Sequence, residues 1–140
     1  MDAIVIGTDG SPGAEAAVQK VIELADGKGP TVHLVCAYPG RSALERIGMT
    51  AKQDPVDMRG VAADLLARAE RRLAEAGFTV EKYVREGDPA HVIIDVAEES
   101  SADLIVVGAH GNAGDRWFHI GSIPTKLSHH APTSLLIARE

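Results

Sequence analysis

Only one cysteine, Cys36, occurs in the sequence, so neither an intramolecular disulfide nor a cysteine-based zinc cluster is available. It lies in an apolar run and reads as a small buried hydrophobe. Long hydrophobic stretches are missing too: no apolar run approaches the roughly 20 residues that span a bilayer. Nor does a basic segment followed by an apolar one open the chain, so no membrane association is expected and a cytoplasmic location is. Basic charge is in short supply, with 14 Lys and Arg against 20 Asp and Glu and a net charge of −6 at pH 7. Nucleic-acid-binding surfaces are normally basic, so no nucleic-acid partner is expected.

Two common phosphate signatures are lacking as well. No Gly-Lys-Ser or Gly-Lys-Thr occurs, which removes the Walker pattern. The dinucleotide fingerprint G-x-G-x-x-G is absent, because Gly7-Thr8-Asp9-Gly10-Ser11-Pro12-Gly13 has the wrong spacing. The second apolar run ends in Ala37-Tyr38, without an acid to hold a ribose, which argues against an NAD enzyme.

What is present is an ordinary globular composition, 45% apolar, in a chain of 140 residues. That length suits one domain, residues 1–140, able to bury a core without disulfides or metal. Short apolar runs alternate with helical patterns throughout. Strands are expected at Ala3–Ile6, Val32–Ala37, about Thr79–Arg85, Leu104–Val107 and about Ser134–Ala138. Between the first two, Ser11 is a candidate N-cap with Pro12 at the first helical position, and Ala17, Val18, Val21, Ile22 and Ala25 share a helix face. Val61, Leu65, Leu66, Ala69 and Leu73 form the next helical stripe, Asp88-Pro89 opens a helix through roughly Ser100, and a last helix starts near Ile123. The connection Tyr38–Met58 is long, with room for a short helix around Ser42–Ile47. It is a candidate lid or partner-binding segment, or else a variable insertion.

This alternation implies parallel βαβ units. The simplest right-handed winding is an open five-stranded parallel sheet of order 3-2-1-4-5 with helices on both faces, its third strand a polar edge carrying Glu81, Lys82 and Arg85. The winding reverses between strands one and four, so their carboxyl ends flank the natural ligand crevice. Those ends are Gly7-Thr8-Asp9 and Gly108-Ala109-His110-Gly111. Glycine lets a backbone come close to a ligand, and a helix start near Gly121-Ser122 offers N–H groups and a partial positive charge to a phosphate.

The spacing Gly108, Gly111, nine residues, then Gly121-Ser122 resembles the G-x-x-G, nine residues, G-[ST] pattern of nucleotide-binding members of the universal stress protein family. Ile4-Val5-Ile6-Gly7-Thr8-Asp9-Gly10-Ser11, Asp88-Pro89, Ala102–Gly108 and His130-Ala131-Pro132 resemble the same family, and the likeness covers the chain except Tyr38–Met58. The resemblance implies a Rossmann-like fold of the adenine nucleotide alpha hydrolase-like type and an adenine nucleotide (ATP, or ADP, AMP or cyclic AMP) in the crevice. It implies a binding set of Gly7, Thr8, Asp9, Val35, Ala37, Gly108, His110, Gly111, Gly114, Arg116, Gly121, Ser122 and Ile123. Asp9 would lie near the ribose or a Mg²⁺ carried by the phosphates, and Val35 or Ala37 against the adenine. Gly108, Gly111 and their loop would wrap the ribose and phosphates, and Gly121 and Ser122 would meet the phosphates. Asn112-Ala113 stand where the family often has a basic and a small residue, which leaves Arg116 as a candidate charge partner and favours a less charged ligand.

Plainer roles stand beside these. Gly7 and Gly10 suit a tight strand–helix turn, Asp9 a helix cap, His110 a loop between glycines, and Ser122 a cap of the last helix. His129 and His130 favour a helix C-terminus, and Trp117 and Phe118 suit loop anchors. The leading reading is a regulatory or sensory nucleotide-binding stress-response protein. The alternatives are a slow ATPase or autophosphorylating protein with Ser122 as acceptor, for which Asp9, Arg116 and His110 make a thin catalytic set, and an interaction module with a vestigial site. The strand Ser134–Ala138, apolar and terminal, is expected to pair with its copy in a homodimer, as the family does.

Overall fold

The computed structural model describes residues 1–40, 42, 45, 55–110 and 122–140. Five strands and four long helices alternate along it: β1 Ala3–Gly7, α1 Pro12–Leu24, β2 Thr31–Tyr38, α2 Pro55–Glu75, β3 Thr79–Glu86, α3 Pro89–Glu99, β4 Leu104–Gly108, α4 Ser122–His130 and β5 Ser134–Ala138. All pairings are parallel, in the order β3-β2-β1-β4-β5. Because α2 already begins at Pro55, the long connection is shorter than Tyr38–Met58. The short helix expected around Ser42–Ile47 lies outside the described residues except for Ser42 and Glu45.

Side chains alternate across the sheet and build two cores. Ile4, Ile6, Val32, Leu34, Cys36 and Val106 face α1 and α2, meeting Ala17, Val18, Val21, Ala62, Leu66 and Leu73. Val5, Val35, Ile105 and Val107 face α3 and α4, meeting Val92, Ile93, Val96 and Leu127. Burial on both faces is why β1 and β4 read as unbroken apolar runs. β3 is an edge, mostly exposed or half-buried. Val61, expected in the α2 stripe, is 56% exposed, because the buried line of that helix runs through Ala62, Leu66 and Leu73.

β1 is the strand that hydrogen-bonds both to β2 and to β4. The sheet therefore reverses its winding there, and the carboxyl ends of β1 and β4 lie side by side at one edge of the molecule.

Candidate functional site

The turn after β1 is held by its own polar groups. Thr8 N–H donates to Val35 O at 2.9 Å, tying the turn to β2. Gly10 N–H donates to Thr8 Oγ1 at 3.2 Å, and Ser11 N–H donates to Asp9 Oδ1 at 2.9 Å. Ser11 then caps α1, its Oγ accepting from Ala14 N–H at 3.2 Å. The described bond of Asp9 closes an Asx-type turn, and the cap of α1 is Ser11 rather than Asp9. Gly10 sits at φ +76° with Leu65 of α2 packed against it, a conformation that favours glycine.

A different device governs the turn after β4. Gly108 is not in the left-handed region; a Cβ there would run into the backbone carbonyl of Gly13, and a Cβ on Gly13 would run into His110 O. The close approach that these glycines allow is thus first of all that of α1 to β4. In the sequence Gly13 entered only the spacing that excluded a dinucleotide fingerprint, although a glycine in the first turn of a helix was the signal of this packing role. Ala109 is buried and donates from its N–H to Ala138 O at 2.9 Å. His110 Nδ1 is buried and has no hydrogen-bond partner among the described residues.

On the other wall, the described part of α4 runs from Ser122, whose side chain is exposed. Ile123 packs partly against the core beneath α3 and α4. Gly111, Gly114, Arg116 and Gly121 lie outside the described residues, as do Asn112, Ala113, Trp117, Phe118 and His119.

Val35 is 1% exposed and committed to the core, whereas Ala37, two residues on and on the same face, is half-buried at the carboxyl end of β2. Cys36 between them points to the opposite core. Burial, helped by the charge of Asp9, pushes its thiol up to about 11, so it remains protonated and inert at neutral pH.

The two helices beside the crevice are joined by a contact that the sequence did not reveal. Asp88 caps α3, with Oδ2 accepting from His91 N–H at 3.2 Å, and its Oδ1 accepts from Lys126 Nζ of α4, also at 3.2 Å. Partial burial raises the Asp88 pKa, but the His91 N–H and the Lys126 ammonium outweigh it and hold the carboxyl below its ordinary range.

A cleft of about 590 Å³ opens beside the ends of β4 and β5, lined by Gly13, Ala109, His110, Ala138, Arg139 and Glu140. It shares Ala109 and His110 with the β4 turn but is not lined by Thr8, Asp9, Ala37 or Ser122. It is therefore a neighbour of the crevice on the α1 side, not the crevice itself. Among the described residues no three His, Cys, Asp or Glu side chains cluster closely enough to hold a metal ion. No helix among them is long and apolar enough to cross a membrane.

The parallel order, the reversal at β1 and β4, and the facing turns define a Rossmann-like α/β protein with its crevice at the topological switch point. Residues 1–139 match the model of the universal stress protein family, and the chain belongs to that family. It is 30% identical over 137 residues to a universal stress protein of Mycobacterium tuberculosis strain H37Rv, covering 96% of this chain and 93% of that one. A universal stress protein of Mycolicibacterium smegmatis is 26% identical over 136 residues, and there the match covers 97% of this chain but only 45% of the relative's length. Among solved structures, a universal stress protein in complex with cAMP superposes with a TM-score of 0.71 at 25% identity, over 99% of this chain and 96% of that one. The Archaeoglobus fulgidus universal stress protein in complex with dAMP gives 0.71 at 23% identity, over 99% and 97%, and at that identity shares the fold alone.

Proposed function

We propose that this protein binds an adenine nucleotide at the carboxyl ends of β1 and β4 and acts as a regulatory or sensory protein. The observation that carries the reading is the pairing of β1 with β4, which sets Thr8 and Asp9 beside Ala109 and His110 where open α/β sheets hold their ligands. The residues at hand fit such a group. His110 Nδ1 is a buried polar atom with no partner among the described residues, and α4, which follows β4 in the chain, starts at the same end of the sheet with the exposed Ser122. Ala37, half-buried at the end of β2, offers the apolar surface an adenine ring needs. The cAMP and dAMP complexes of family members support the choice of base.

In this reading Asp9 meets the ribose hydroxyls or a Mg²⁺ carried by the phosphates. Bound Mg²⁺ would supply charge neutralisation between that carboxylate and a polyphosphate. Ser122 and Ile123, with Gly111, Gly114, Arg116 and Gly121, complete the phosphate side. ATP is the proposed ligand, with ADP, AMP and cyclic AMP as competitors for the same site.

A second copy of the chain belongs to the same reading. β5 ends the sheet with Leu135, Leu136 and Ile137 only half-buried, while the opposite edge, β3, carries Glu81, Lys82, Arg85 and Glu86. Charged edges resist pairing and apolar ones invite it. Antiparallel β5–β5 pairing would cover the strand in a two-fold contact.

Calorimetric titration with ATP, ADP, AMP and cyclic AMP, with and without Mg²⁺, tests the ligand. Saturable binding of at least one is expected, with Asp9→Ala weakening it; no binding of any at millimolar concentration contradicts the proposal. Light scattering of the same samples should give twice the chain mass, and a monomer at micromolar concentration rules out the dimer.

A further inference from the structure

The Asp88–Lys126 pair joins the starts of the two helices, α3 and α4, that follow β3 and β4 at the carboxyl end of the sheet. Asp88 caps α3. One turn further on, Ile93 presses its Cδ1 within 2.5 Å of where a side chain at Gly7 would begin, so the start of α3 overlies the carboxyl end of β1. Lys126 approaches from α4, four residues after Ser122 and hence on the same helix face. Helical side chains lean back toward the N-terminus, so the Lys126 side chain is directed toward the turn that carries Ser122. Its ammonium rests 3.2 Å from Asp88 Oδ1.

Both partners are substantially exposed, with 53% of the Lys126 side chain and 37% of the Asp88 side chain accessible. Exposed ion pairs contribute little to stability, so this one can be exchanged at small cost. The cap on α3 does not depend on it, since that bond uses the other carboxylate oxygen. A lysine is a flexible point charge able to swing between two anions.

We infer that Lys126 is the residue that selects for the phosphate charge of the ligand, held by Asp88 in the absence of ligand and passed to a phosphate oxygen on binding. The inference rests on the nucleotide reading and deepens it. Asp88 is then the competitor for that ammonium: it keeps the charge neutralised while the site is free, and its carboxylate opposes a phosphate that arrives without displacing it. Asparagine caps a helix about as well as aspartate, so Asp88→Asn removes the competing charge and leaves α3 intact.

The test is calorimetric titration of ATP, AMP and adenosine into wild type, Lys126→Gln, Lys126→Arg and Asp88→Asn at fixed salt. A charge-assisted hydrogen bond of ordinary strength corresponds to about a tenfold affinity change. Lys126→Gln is expected to weaken ATP about tenfold and AMP less, and to leave adenosine within about twofold. Lys126→Arg should restore most of the ATP affinity, and Asp88→Asn should tighten ATP about threefold without changing adenosine. Equal losses for ATP and adenosine in Lys126→Gln, or unchanged ATP binding, overturn the role of Lys126 while leaving nucleotide binding in place. Absence of binding by all three compounds to wild type overturns the nucleotide reading itself, and this inference with it.

Discussion

The two turns that face each other across the crevice are built on opposite principles. After β1, the chain is held by donors and acceptors: Thr8, Asp9 and Ser11 each take a backbone N–H. After β4, it is held by the missing side chains of Gly108 and Gly13, which let a helix and a strand meet backbone to backbone. Hydrogen bonds of the first kind are worth about 1 kcal/mol each and can be lost singly. Backbone contact of the second kind has no give, because neither partner can rotate away. The β1 turn is thus open to adjustment around a ligand, while the base of the β4 turn is fixed.

The sharpest way to break that contrast is Gly108→Ala. Forced against the Gly13 carbonyl, the new methyl should cost about 3 kcal/mol, the upper end of ordinary overpacking, read from urea unfolding. Gly7→Ala meets side chains rather than backbone, the end of Ile93 first and Val107 Cγ1 at 3.3 Å, and should cost about 1 kcal/mol. Equal costs would mean that the β4 turn is no more rigid than its neighbour. Next comes Ser11→Ala, which removes the α1 cap and should cost about 1 kcal/mol. A loss as large as that of Gly108→Ala would show that hydrogen bonding, not glycine packing, holds this end of the molecule.

The smallest effect is expected at the α3–α4 joint. The folded pKa of Asp88 lies below its unfolded value of about 4. The stability this contributes is present above that unfolded value and disappears as pH falls through the folded one. Between pH 5 and pH 2 the urea midpoint of wild type should therefore fall slightly more than that of Asp88→Asn. An identical fall would remove the joint from the account.

The strand runs, the sheet order and the Ser11 and Asp88 caps were legible in the sequence because each rests on local periodicity or on one capping residue. The stripe on α2 was read one residue off at Val61, since an amphipathic pattern alone does not say which of two adjacent apolar positions turns inward. Gly108 was legible as a residue needing room, but not what fills that room, because Gly13 lies two strands and two long helices earlier in the sequence. Separation in sequence also hid Lys126 from Asp88, 38 residues away. The crevice itself could be placed because topology, not side-chain detail, brings its two turns together.

The central claim is that the crevice between these turns holds an adenine nucleotide, and amide chemical-shift mapping tests it most directly. Titrating ATP into isotope-labelled protein should shift Thr8, Asp9, Ala109, His110, Ser122 and Ile123 together and saturably, leaving the β3 edge unmoved. No shifts at millimolar ATP, or shifts confined to the cleft around Gly13, Arg139 and Glu140, would contradict it.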